Sequence, residues 1–225
     1  MDPTVAFEAY EPYFSRDSKT IKRDLESLEN LVLKWQRVQN LVSRETLDQI
    51  WSRHILDSLQ ILPVLLRGRS KVGATTDHGA VQICDIGSGG GFPALPLAIA
   101  LKGADIRFHL VESNGRKCAF LNAVGRELGL DIVVHNARIE ALDAENLGSI
   151  HAFTSRALAP MPLLFSYLHH LWTPGAVAVI HKGQEFGEEL GQADSVWSYD
   201  VLKHNSQTDP NGVLLEIRNL TQRSS

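Results

Sequence analysis

The segment Val81-Gln-Ile-Cys-Asp-Ile86 runs directly into Gly87-Ser-Gly-Gly-Gly91, and Phe92-Pro93 then opens a stretch of helical spacing. Few folds accept that order. A short, largely apolar run reads as a strand buried on both faces, as in parallel sheets. Glycines at alternate positions let the backbone turn tightly and approach a ligand closely. Pro93 suits the first turn of a helix, where its missing N–H goes unused.

The texture downstream agrees. Strand-like runs at 106–111, 132–135, 151–154 and 176–180 alternate with helix candidates at 93–101, 115–128 and 160–171. Such alternation predicts a mostly parallel sheet covered on both faces. Two further strand-like runs, 199–203 and 213–218, flank Gln207-Thr-Asp-Pro-Asn-Gly212 and predict an antiparallel hairpin, for seven strands in all. Upstream, Leu25, Leu28, Val32, Trp35, Val38 and Val42 recur at helical spacing, as do Ile50, Ile55, Leu59, Leu62 and Leu66, with Pro63 expected to kink or end the second helix. Residues 67–80 are polar and glycine-rich and read as a linker. The expected organisation is a helical extension at 1–66, a linker at 67–80 and an α/β domain at 81–225.

Charge is unevenly spread. The chain of 225 residues carries 22 basic and 26 acidic groups, a net of −4. Between Arg16 and Lys71 there are 11 basic against 7 acidic residues, and from Asp131 onward 6 against 11. A basic N-terminal stretch is either a solvated helical face or a footprint for a polyanion, and charge by itself does not choose. Two cysteines, Cys84 and Cys118, are too few for a disulfide framework and match no zinc spacing, so a reducing, cytoplasmic setting and no metal are expected. No apolar run is long enough for a membrane helix, and residues 1–20 lack the apolar block of a signal peptide.

Glu112 ends the second strand-like run about 20 residues past the glycines, where an acid grips a ribose diol. Together they point to an adenosine-type cofactor. The spacing Gly87-x-Gly89-x-Gly91, with Phe92 following, departs from the dinucleotide fingerprint, and Asp85-x-Gly-x-Gly-x-Gly91 resembles the first motif of Rossmann-like S-adenosylmethionine methyltransferases.

Further matches resemble the bacterial GidB/RsmG family, methyltransferases of guanine N7 in small-subunit (16S) ribosomal RNA. They are Leu33-Lys-Trp35, Asn40-Leu41, Arg53-His-Ile-Leu-Asp-Ser-Leu59, the loop through Pro93, Leu97-Ala-Ile99 and Val111-Glu-Ser113. Arg116-Lys117, Phe120-Leu121, Arg138-Ile-Glu140, Ser155-Arg-Ala157 and Lys182-Gly183 follow in family order, over about residues 31–190. Gly90 and Ala94 stand where the family pattern has Ala and Gly, and His181 where an aliphatic residue is commoner.

The resemblance implies a Rossmann-like fold, S-adenosyl-L-methionine as cofactor, and 16S ribosomal RNA, naked or in a small subunit, as partner, with a monomer expected. It implies that Gly87, Gly89 and Phe92 line the cofactor loop, that Glu112 holds the ribose, and that Ile139 and Glu140 lie beside the adenine. Arg156 matches a cofactor-contacting position and, with Arg53 and His54, is a candidate for the catalytic cleft; an ion pair with a nearby acid is the alternative for Arg156. Lys34, Arg37, Arg53, Lys117 and Lys182 are candidate RNA contacts, with solvated helix positions the alternative for the first two. Guanine N7 carries an in-plane lone pair, so its methylation needs no general base. Trp35 reads as a core anchor, and His109, His169, His170 and His204 as structural. Two other functions compete: methylation of another RNA, a protein or a small molecule, and a nucleotide-binding sensor without chemistry.

Overall fold

A computed structural model describes residues 3–67 and 80–223; most of the expected linker at 67–80 lies outside the described residues. Five strands run parallel: β1 (Val81–Ile86), β2 (Ile106–Glu112), β3 (Ile132–Asn136), β4 (Ala152–Arg156) and β5 (Val177–Lys182). β6 (Trp197–Asn205) and β7 (Val213–Gln222) form the hairpin, and β7 joins β5 antiparallel. The order is β3-β2-β1-β4-β5-β7-β6. The chain therefore reverses its winding between β1 and β4, and a ligand crevice opens at the carboxyl ends of strands at such a switch point.

The helices are α1 (Pro3–Glu8), α2 (Ser18–Gln36), α3 (Asp57–Leu59), α4 (Leu62–Leu65), α5 (Ala94–Ala100), α6 (Gly115–Leu128), α7 (Ala144–Leu147), α8 (Met161–Leu171) and α9 (Phe186–Ala193). Local chemistry sets their ends. Asp17 caps α2 by accepting from Thr20 N at 2.9 Å. Asn114 caps α6 by accepting from Arg116 N and Lys117 N, and Gly129 ends it with φ +59°.

Each sheet face carries its own core. On one face Phe108 and Leu110 pack with α5, with Phe120 and Leu121 of α6, and with Leu25, Leu28 and Val32 of α2. On the other, Phe153, Ile180 and Leu215 pack with Phe165 and Leu168 of α8. Trp35 is the anchor expected, meeting Phe120 edge-on at 5.7 Å between ring centroids.

Two readings need correction. The apolar spacing from Leu25 to Val42 does not mark one helix. α2 ends at Gln36, Val38 is 74% exposed, and Val42 is buried in a loop. The side chain of Gln36 makes that loop: its Oε1 accepts from Leu41 N and Val42 N, and its Nε2 donates to Val42 O at 2.9 Å. The run from Ile50 to Leu66 is not one regular helix either. It passes from a 3₁₀ turn (Arg44–Gln49) through a π-helical stretch (Trp51–Leu56) into α3, and after a break α4 begins with Pro63 in its first turn. Pro63 starts a short helix there and does not kink a long one.

Candidate active site

A cleft of about 1010 Å³ opens at the carboxyl ends of β1, β2, β4 and β5. Its floor is the glycine loop. Gly87, Gly89 and Gly91 adopt φ of +72°, +56° and +84°, a region that side chains disfavour. Space is short as well: a Cβ on Gly87 would stand 2.5 Å from Leu158 Cδ1. Gly87 N and Ser88 N donate to Val111 O, which ties the loop to the end of β2.

Glu112 completes that tie. Its Oε2 accepts from Gly89 N at 2.9 Å and its Oε1 from Asn114 N at 2.7 Å. The acid at the strand end thus shapes the loop while facing the cleft. Asp85, at the end of β1, is buried, and burial pushes its carboxyl up to about 6. Its Oδ1 accepts from Thr154 Oγ1 at 2.7 Å, but Oδ2 has no partner. A buried acceptor left unpaired costs stability unless a ligand donor satisfies it.

The opposite wall comes from far away in the chain. Arg156, at the end of β4, donates Nη1 to Asp57 Oδ2 at 3.1 Å and to Arg53 O at 3.0 Å. Its Nη2 meets His54 Nδ1 at 2.6 Å, and its guanidinium lies 5.4 Å from the Phe92 ring centre. So the ion pair with a nearby acid is present, and it holds Arg156 over a cleft residue. Ala157 follows at φ +52°, a strained turn beside the site. The Asp57 carboxyl also accepts from Thr208 Oγ1 at 2.6 Å and Gln60 Nε2 at 2.7 Å. Burial would raise its pKa, but His181, Thr208 and Arg156 overcome this and hold it below the usual carboxylate range. His54 goes the other way: burial first, then the Arg156 charge, push it down to about 4.

Two further cations of the cleft are paired, while Lys117 lines it with no ion pair among the described residues. Arg53 Nη2 bonds Asp209 Oδ2 at 3.0 Å, and Lys182 Nζ bonds Glu189 Oε2 at 2.5 Å. Gly87, Gly89, Phe92, Glu112, Ile139, Glu140, Arg53, His54, Lys117, Arg156 and Lys182 therefore come together around one cleft. Lys34 and Arg37 do not line it; they lie exposed at and just past the end of α2. His109, His169, His170 and His204 each have structural partners, in Gln82 with His135, Trp197, Leu142 O and Glu216 respectively.

Sequence reasoning missed Thr208, Asp209 and Tyr167. Tyr167 reaches Glu140 from α8, a spacing no motif encodes. Asp209 sits in the turn read only as a hairpin connection. The register Lys182↔Val213 brings that turn to the carboxyl end of β5. His181, which departs from the family pattern, is buried there, its Nε2 donating to Asp57 O at 2.8 Å while Nδ1 has no partner.

A sheet of this order, with a glycine loop and two strand-end acids at its switch point, defines a Rossmann-like methyltransferase. The ribosomal protein L11 methylase of Lactobacillus delbrueckii subsp. bulgaricus shares the fold, at a TM-score of 0.54 and 13% identity over 76% of this chain and 79% of that one. The family model for GidB, rRNA small subunit methyltransferase G, matches residues 21–215. Proteins named ribosomal RNA small subunit methyltransferase G are 39% identical in Bartonella tribocorum (90% of each chain) and 40% identical in Rhizobium meliloti (93% of this chain, 94% of that one). The chain belongs to the GidB family, and is an rRNA small subunit methyltransferase.

Proposed function

We propose that the chain transfers a methyl group from S-adenosyl-L-methionine to N7 of one guanine in 16S ribosomal RNA, free or within a small subunit, in the cytoplasm. When bound, S-adenosyl-L-methionine supplies an electrophilic sulfonium methyl. The observation that carries the donor is the buried, unpaired Asp85 Oδ2 next to a loop whose Gly87, Gly89 and Gly91 hold left-handed backbone: an acceptor, and bare backbone that a ligand can approach closely. Gly87, Gly89 and Phe92 would form the loop against it, Glu112 would take the ribose hydroxyls, and Ile139 and Glu140 the adenine.

Two stretches of the chain supply the side chains of the cleft. Residues 1–66 supply Arg53, His54 and Asp57, and residues 81–225 supply the loop, Glu112 and Arg156. The chemistry asks these side chains mainly for position, since N7 has its lone pair in the ring plane and no proton to lose. The paired charges help. Asp57, Asp209 and Glu189 balance Arg156, Arg53 and Lys182, which lowers the repulsion a cationic donor or product would meet.

The test is transfer of labelled methyl to deproteinised 16S RNA and to small subunits, with N7 adducts located by chain cleavage at 7-methylguanine. One modified guanine is expected. Methyl incorporation at another atom, or none with either substrate, rejects the reading.

A further inference from the structure

The cleft holds one cation–carboxylate pair that stands open to a base. Arg53 comes from the π-helical stretch and Asp209 from the turn between β6 and β7, and both line the cleft. They meet at 3.0 Å, with side chains 37% and 32% exposed. Glu140 faces the cleft without a cation among the described residues, and three other cleft acids are more fully committed. Asp57 serves Arg156, Thr208 and Gln60; Glu112 serves two backbone amides; Glu189 takes Lys182 and Met161 N. Asp209 uses Oδ2 for Arg53 and Oδ1 for Asn211 N, and each carboxylate oxygen accepts more than one hydrogen bond.

Side by side, such a pair presents a donor, then two acceptors. Guanine alone among the four bases presents the complement along its Watson–Crick edge: the O6 acceptor, then the N1–H and N2–H donors. Adenine puts a donor where guanine has O6. Holding that edge leaves N7, on another edge of the ring, free to face the methyl. We infer that Arg53 and Asp209 form the guanine-selecting element of the cleft, Arg53 donating to O6 and the Asp209 carboxylate accepting from N1–H and N2–H. This rests on the guanine-N7 reading above and names the residues that choose the base.

The test uses the full chain and small-subunit RNA assembled by ligation with either guanine or inosine at the methylated position. Inosine keeps N7, O6 and N1–H and lacks only the N2 amino group. Wild type is expected to prefer guanine roughly ten- to hundredfold in kcat/KM, the discrimination typical of a well-formed base contact. Asp209→Asn replaces one acceptor with a donor and is expected to bring the two substrates to near parity. Because the ratio compares two substrates on one enzyme, a general loss of folded protein does not move it. If wild type treats the two bases alike, or if Asp209→Asn slows both equally and keeps the ratio, the inference is overturned and Asp209 merely pins the hairpin. If wild type leaves guanine itself unmethylated, it is the underlying reading that fails.

Discussion

Arg156 Nη2 stands 2.6 Å from His54 Nδ1. Arginine has no acceptor, so the imidazole must receive that hydrogen bond, and its proton sits on Nε2, 2.8 Å from Thr46 Oγ1. A histidine held this way, with its pKa near 4, is an orienting group and not a base. Single-turnover methyl transfer should therefore show no step from His54 between pH 6 and 8. A sigmoid with a midpoint near neutrality that vanishes in His54→Gln would contradict this.

Acid should loosen the fold through the buried histidines. His54 and His109 are neutral in the native state, their pKa values pushed down to about 4 chiefly by burial, against 6.5 when free. The unfolded chain takes up those protons first, so their contribution is whole above pH 6.5 and drains as pH falls toward 4. The slope is at most about 1.4 kcal/mol per unit for each histidine. Asp85 opposes them: raised from 3.8 to about 6, it keeps its proton in the native state and stabilises the fold as pH falls through 6. Two histidines outweigh one carboxyl, so the urea midpoint should be lower at pH 5 than at pH 7. A midpoint that holds steady or rises counts against the assignment.

Glu112→Ala removes the acceptor for two amides as well as the group proposed to take the ribose. Stability should drop by about 0.5–1.5 kcal/mol, the net worth of hydrogen bonds to one half-buried and one exposed amide. Cofactor affinity should fall at least tenfold by calorimetry. Unchanged titration in a folded variant would show that the loop is shaped without it.

At Gly90 a Cβ would stand 2.6 Å from Leu41 O, on a loop that Gln36 pins. Gly90→Ala should cost about 1–3 kcal/mol, lowering Tm by about 2–4 °C for each kcal/mol. Adding Gln36→Ala, which frees Leu41, should recover part of the loss. Strict additivity of the two changes would place the strain elsewhere.

RNA affinity should depend steeply on salt, and selectively so. Lys34, Arg37 and Lys117 carry no ion pair among the described residues, while Lys182 is committed to Glu189. Lys117→Gln should reduce the slope of log affinity against log salt by about 0.7–0.9, one phosphate contact's worth. Lys182→Gln should leave that slope unchanged; equal effects would show that its pair opens on RNA.

The sheet was legible because strands buried on both faces are continuous apolar runs, and the glycine loop and Glu112 because a motif fixes their spacing. α6 spans the expected 115–128, and in the structure Asn114 and Gly129 close its ends. The N-terminal helices were harder. Val38 and Val42 continue the apolar period past the point where Gln36 turns the chain, and over a turn or two a π-helix leaves the same spacing as an α-helix. Asp209 was invisible because its place depends on how β7 registers against β5, a relation between strands that no local pattern contains.

The acceptor side of the cleft is sewn together across long stretches of sequence. Tyr10 to Gln207 spans 197 residues, Gln60 to Gln207 spans 147, and Arg53 to Asp209 spans 156. Contacts of such separation carry a large loop-closure cost and follow the local ones. The wall that Gln207 and Asp209 build is complete only when the hairpin, made near the end of the chain, has folded back onto the N-terminal helices.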